Sequence, residues 1–138
     1  MISTHSVVKD YFNYRLRSQI SMNNQLLSVL IKVARDCETK YRLHDEHFRF
    51  NISPTSPMIN TKNIHHQIAV ELLNHSNITW AHVISFISFS AILAEDIVQH
   101  QPHNEDSIIE LFIDQTVNLI DGNLDSWLEQ HHHWVKHF

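Results

Sequence analysis

The sequence predicts an all-α protein, a bundle of amphipathic helices around one central hydrophobic helix. Three observations lead there. Glycine occurs once and proline three times in 138 residues, too few turn-formers for the hairpins of a β fold. Apolar residues recur at three- and four-residue spacing along most of the chain, the period of a helix with one buried face. Residues 78–98, ITWAHVISFISFSAILAEDIV, are apolar on nearly every face, and a helix of that kind has to be enclosed on all sides. The unbroken apolar heart of this stretch is about a dozen residues, short for a bilayer crossing and suited to a buried core helix. It reads as the central post of one soluble domain covering residues 1–138, with Thr79-Trp80-Ala81-His82 where the post reaches the surface.

The other elements follow in order. Ser3 or Thr4 caps a first helix to about Arg17, with Val7, Val8, Tyr11, Phe12 and Leu16 on its apolar stripe. A second begins near Gln25, its stripe running Leu26, Leu27, Leu30, Val33, Ala34, Cys37 and Tyr41, with Lys32, Arg35, Asp36 and Lys40 opposite. Weak helical or turn structure continues through Leu43, His47 and Phe48. Residues 51–60, with Pro54 and Pro57, read as a loop. Thr61 caps a third helix from Lys62 to about His75, with Ile64, Ile68, Ala69, Leu72 and Leu73 inward. After the post, Gln101-Pro102-His103 breaks the chain and Asn104 caps a helix bearing Ile108, Ile109, Phe112, Ile113, Val117 and Ile120. Gly122 ends that helix in a left-handed conformation, and a last helix runs from Leu124 to about Phe138. The count is six or seven helices and no strands.

Composition excludes several functions. A formal charge of −5 without a basic cluster argues against nucleic acid and anionic membranes. The lone Cys37 rules out an internal disulfide and fits a reducing compartment. The first residues, MISTHSVVKDYF, show neither a basic start nor an apolar signal core, so a cytoplasmic protein is expected. Thirteen histidines raise the question of a metal. His44-x-x-His47, His65-His66 and His131-His132-His133 are nonetheless read as solvated, because adjacent histidines on a helix face different ways. Glu129-x-x-His132 is only half of a di-iron motif. No cofactor is expected. Without a phosphate-binding glycine loop, a Gly-x-Ser-x-Gly elbow or a base near the thiol, the chain does not read as an enzyme.

Four stretches, in order, carry a resemblance to the Bcl-2 family of apoptosis regulators. Residues 6–16, SVVKDYFNYRL, resemble the family's first helix, and Leu30 through Tyr41-Arg42 resemble the helix of the third homology motif. Residues 78–89, ITWAHVISFISF, are similar to the first homology motif, usually Asn-Trp-Gly-Arg before an apolar run. Residues 124–130, LDSWLEQ, followed by Trp134, are similar to the second. Departures stand beside the matches. Ala81 replaces the motif's glycine and His82 its arginine, and Ala34-Arg35 replaces the small residue and aspartate of a killer BH3 motif. Such trimmed sequences are found among homologues carried by large DNA viruses such as iridoviruses and poxviruses, which implies a viral pro-survival member.

The resemblance implies helix-in-groove binding. An amphipathic BH3 helix of a pro-apoptotic protein, Bim first and then Bak or Bax, would lie in a surface groove, and its sequestration would block permeabilisation of the mitochondrial outer membrane. Carried over by position, Cys37, Tyr41, His44 and Phe48 would form one wall and Ala69, Leu72 and Leu73 the floor. Thr79, Ala81, His82, Ile84, Ser85 and Phe89 would complete the other wall. Trp80, Trp127 and Trp134 would be structural. The family arginine pairs with the ligand's aspartate, and histidine lacks its bidentate fork, which implies weaker or more selective binding. The same resemblance leaves a second reading, a Bcl-2-like fold that engages an inflammatory signalling adaptor. It also implies mitochondrial association through partners, and an exposed groove would favour a homodimer.

Overall fold

The computed structural model describes residues 3–19, 25–42, 57–74, 77–130 and 134. Its helices are α1 (Thr4–Arg17), α2 (Gln25–Arg42), α3 (Pro57–Leu73), α4 (Trp80–His100) and α5 (Glu105–Gln130), with one 3-10 turn at Pro102–Asn104 between the last two. No strand occurs among the described residues. Helix α4 packs against all four others. Helix α1 also meets α2 and α5, and α3 meets α5.

Local chemistry sets the helix ends. The Ser3 hydroxyl accepts the Ser6 N–H at 3.1 Å and starts α1. At the other end Ser18 turns left-handed at φ 53° and donates its N–H to the Asn13 carbonyl. Val7, Val8, Tyr11 and Phe12 are buried as the stripe predicts. In α2 the buried row is Leu27, Leu30 and Ala34.

Helix α3 departs from the sequence reading. It begins at Pro57, inside the expected loop, and ends at Leu73. Proline suits a first helical turn because its fixed φ is helical and no donor is needed there. Thr61 therefore lies within the helix and does not cap it.

Helix α4 is enclosed, as expected, although the length argument was too strict. Its 21 residues are long and apolar enough to cross a membrane by length and composition. Here that surface is taken up by protein: Val83 through Ala91, then Leu93, Ala94 and Ile97, are buried. Asn104 closes the 3-10 turn, and its side-chain amide donates to Gln101.

Gly122 does not end a helix. It has no positive φ, and nothing lies within 4 Å of where a Cβ would stand, so neither backbone nor packing demands glycine. The break falls at Leu124 (φ −123°, ψ 17°), whose buried side chain re-aims the last turns so that Leu128 also enters the core. Helix is described to Gln130, and the rest of the expected last helix, Trp134 apart, lies outside the described residues. Trp134 is buried, and its indole N–H donates to the Thr4 hydroxyl at 3.2 Å, joining the two ends of the chain.

Candidate binding cleft

Helices α2 and α3 both lie on α4, yet among the described residues no Cα atom of one comes within 8 Å of a Cα atom of the other. The region over α4 between these two helices is the candidate cleft. The expected groove residues fall on its elements, in different states. Cys37 is half-buried on α2. Tyr41 lies in the last turn of α2 with its side chain outside the description, and His44 and Phe48 lie outside the described residues. Ala69, Leu72 and Leu73 on α3, and Ile84, Ser85 and Phe89 on α4, are all buried. Thr79 and Ala81 are exposed at the start of α4, and His82 is half-buried beside them. The described apolar residues of α3 and of the body of α4 are thus covered, while Ala81 is exposed.

His82 has a local task. The Thr79 hydroxyl accepts the His82 N–H at 3.4 Å, while the Thr79 N–H donates to His82 Nδ1 at 3.0 Å. This is a reciprocal capping box with histidine where glutamate or glutamine is usual. The imidazole accepts through Nδ1 and so serves the cap only while that nitrogen carries no proton. Close by, Trp80 meets Trp127 edge-on and Trp134 at a tilt, with centroids 4.8 Å away in both cases, which fixes the start of α4 against the last described turn.

Two polar clusters flank the cleft's elements and were not foreseen. In the first, Arg15 on α1 forms an ion pair with Glu38 on α2 and donates to the Tyr11 hydroxyl at 3.1 Å. Ser88 on α4 donates to the same Glu38 carboxylate at 2.6 Å. Burial pushes the Tyr11 phenol above its ordinary pKa, against the lowering effect of the Arg15 charge. Arg35 donates to the Tyr14 hydroxyl at 3.0 Å, and these groups border a cavity of about 420 Å³ between α1 and α2.

The second cluster corrects the sequence reading. His65, read as a solvated histidine, is fully buried between Phe86 and Phe112, at centroid distances of 5.2 and 5.4 Å. Ser90 gives its hydroxyl proton to the Phe86 carbonyl, so the 2.7 Å contact is best satisfied by His65 Nε2–H donating to Ser90. Thr116 stands 3.4 Å from the same nitrogen, and Nδ1 has no partner. Burial, helped by His66, lowers the His65 pKa to about 4. A signal was there: 65, 68, 69 and 72 share helical spacing with the inward stripe. For Arg15 and Glu38 no such signal exists, because their pairing spans two helices.

Four helices enclose an apolar fifth, and two of the four lie on it side by side. The sequence model of apoptosis regulator proteins of the Bcl-2 family matches residues 26–134. The chain belongs to that family, whose members are regulators rather than enzymes. The matched region holds α2 to α5, the cleft and Trp134, while α1 precedes it. Among curated proteins none matches this chain.

Proposed function

We propose that this protein inhibits apoptosis by binding the BH3 helix of a pro-apoptotic partner, Bim first among them, in the cleft between α2 and α3. The observation that supports the reading is the pair of helices resting on α4 with no Cα atoms of the two within 8 Å among the described residues. An amphipathic helix presents apolar residues at three- and four-residue spacing, and Leu72, Leu73, Ile84 and Phe89 offer the matching surface. They are covered in this state, so binding requires the walls to part. Ala81, exposed at the cleft's mouth, leaves room for close helix approach. His82 stands where the family has arginine, and a charged hydrogen bond of that kind is worth about 1.5–3 kcal/mol. Serving a ligand's aspartate would take the imidazole away from its cap. Weaker, more selective binding than an arginine would give is expected. A viral origin is part of this reading and rests on the short, altered motifs alone.

Calorimetric titration with BH3 peptides of Bim, Bak and Bax at pH 6 and 7.5 tests it. Binding by at least one peptide, lost in Ala81→Arg and strengthened in His82→Arg, is expected. Ala81 is the better position to block, since Ile84 is 1% exposed and its replacement would disturb the core. Absence of binding by every peptide would discard the reading and favour a signalling adaptor as partner.

A further inference from the structure

The cavity of about 420 Å³ between α1 and α2 is of a size that holds a small molecule. Each helix turns one face to it over about two turns, roughly 10 Å: positions 11, 14, 15 and 18 on α1, and 31, 35 and 38 on α2. Glu95 of α4 completes the lining. We propose that this cavity binds a small aromatic carboxylic acid with a hydroxyl or amino group at its far end, the carboxylate resting on Arg35 and Tyr14.

Charge selects the acid. Arginines and glutamates both line the cavity, and most of them answer one another. Arg15 pairs with Glu38 and stands 3.6 Å from Glu95 through Nε. Arg35 has no ion pair among the described residues, and its Nη2 donates to the Tyr14 hydroxyl at 3.0 Å. That hydroxyl accepts from Arg35 and keeps its own proton to give. A guanidinium N–H and a phenol O–H therefore stand side by side, a donor pair that fits the two oxygens of one carboxylate. One unmatched positive charge suits a monoanion. A phosphate monoester, with nearly two negative charges, would meet the carboxylates of Glu38 and Glu95 in the same cavity.

The rest of the lining selects the body of the ligand. Tyr11 and Tyr14 set their ring centroids 6.5 Å apart at a tilt of 42°, and Ile31 adds an apolar side chain from α2. Such flanks suit a planar ring. The Glu95 side chain is 41% exposed and, among the described residues, has only the 3.6 Å contact to Arg15. Its oxygens are ready to accept from a hydroxyl or an amine. Glu38, held by both Arg15 and Ser88, ties α1, α2 and α4 together with or without a ligand. A ligand of about eleven heavy atoms with one charged contact should bind with a dissociation constant of about 0.1–1 mM.

Titration of the isotope-labelled full chain with para-hydroxyphenylacetate, followed by amide chemical shifts, is the test, with circular dichroism to check that each variant is folded. Saturable shifts concentrated on α1 and α2 are expected. Arg35→Gln should weaken binding about tenfold or more, and Tyr14→Phe, which keeps the ring, about threefold or more. Tyramine, with an ammonium in place of the carboxylate, should not bind. Phenylacetate, without the hydroxyl, should bind about threefold more weakly. Absence of saturable shifts at about 10 mM probe overturns the proposal. So does an Arg35→Gln variant that binds as wild type does, or tyramine that binds as tightly as the acid. Tighter binding of phenyl phosphate would overturn the choice of a monoanion, and equal affinity for phenylacetate the contact with Glu95. Shifts centred on α3 and α4 would put the probe in the cleft and overturn the site, whereas α1, which is no part of the cleft, should respond if the site is right.

Discussion

Acid should destabilise this bundle through His65 in a way that a single substitution removes. The imidazole is fully buried between two phenylalanine rings. No titratable side chain faces it from α4 or α5, where Phe86, Ser90, Phe112 and Thr116 surround it. Exposed Lys62 and His66 on α3 and Asp114 on α5 line a groove between those two helices. With no carboxylate to stabilise a proton, its pKa falls from 6.5 to about 4. The unfolded chain therefore binds the proton first as pH falls. The stability owed to a neutral His65 is complete above pH 6.5, declines below it, and is gone once pH has passed about 4. At 1.36 kcal/mol per pKa unit the whole span is about 3 kcal/mol. Urea unfolding of wild type and His65→Leu between pH 7 and 4.5 isolates the effect, because the other histidines and the carboxylates are common to both. The stability of wild type relative to the variant should fall by about 2.5 kcal/mol over that range. Parallel stability curves would refute the reasoning, since they would mean that His65 titrates alike in both states.

Glu38→Gln keeps the shape of the α1–α2–α4 cluster but removes the charge that Arg15 and Ser88 share. A loss of about 1.5–3 kcal/mol in denaturant unfolding is expected, and an unchanged midpoint would reduce the ion pair to a surface contact. Gly122→Ala should stabilise the fold by about 0.5–1 kcal/mol, because the residue is helical, exposed and open on its Cβ side. A lower melting temperature in that variant would show that the position needs a positive φ.

The helices were legible because burial leaves a periodic trace in sequence. Helix α4 was found within two residues at each end, and the stripes of α1 and α2 contain their buried apolar rows, Val7, Val8, Tyr11 and Phe12 in one and Leu27, Leu30 and Ala34 in the other. What failed were rules that read one residue type in isolation. Pro57 was read as loop, though proline also opens helices, and Gly122 was read as a terminator, though a helix can carry glycine without using its freedom. His65 was read as solvated from its neighbour His66, although its own spacing put it on the inward face. For the site, position along the family motifs picked out residues on α2, α3 and α4, and α2 and α3 both pack on α4. Side-chain state is another matter. That Leu72 and Phe89 are covered, and that His82 folds back onto Thr79, depends on contacts between segments that no local pattern encodes.

The serines of α4 gain their meaning from this arrangement. A core helix of plain aliphatic residues would bury as much surface, yet Ser88 and Ser90 are both fully enclosed. Two residues apart, they point about 200° from one another around the helix, towards opposite neighbours. Ser88 reaches the Glu38 carboxylate of α2, and Ser90 meets His65 of α3. Each wall of the cleft is thus tied to the central helix by a buried directional bond. Apolar packing alone would tolerate sliding by a turn, whereas a buried polar group that loses its partner costs about 1–3 kcal/mol, so these bonds fix register as well as attachment. Among the described residues no Cα atoms of α2 and α3 lie within 8 Å of each other. Their spacing is therefore set through α4.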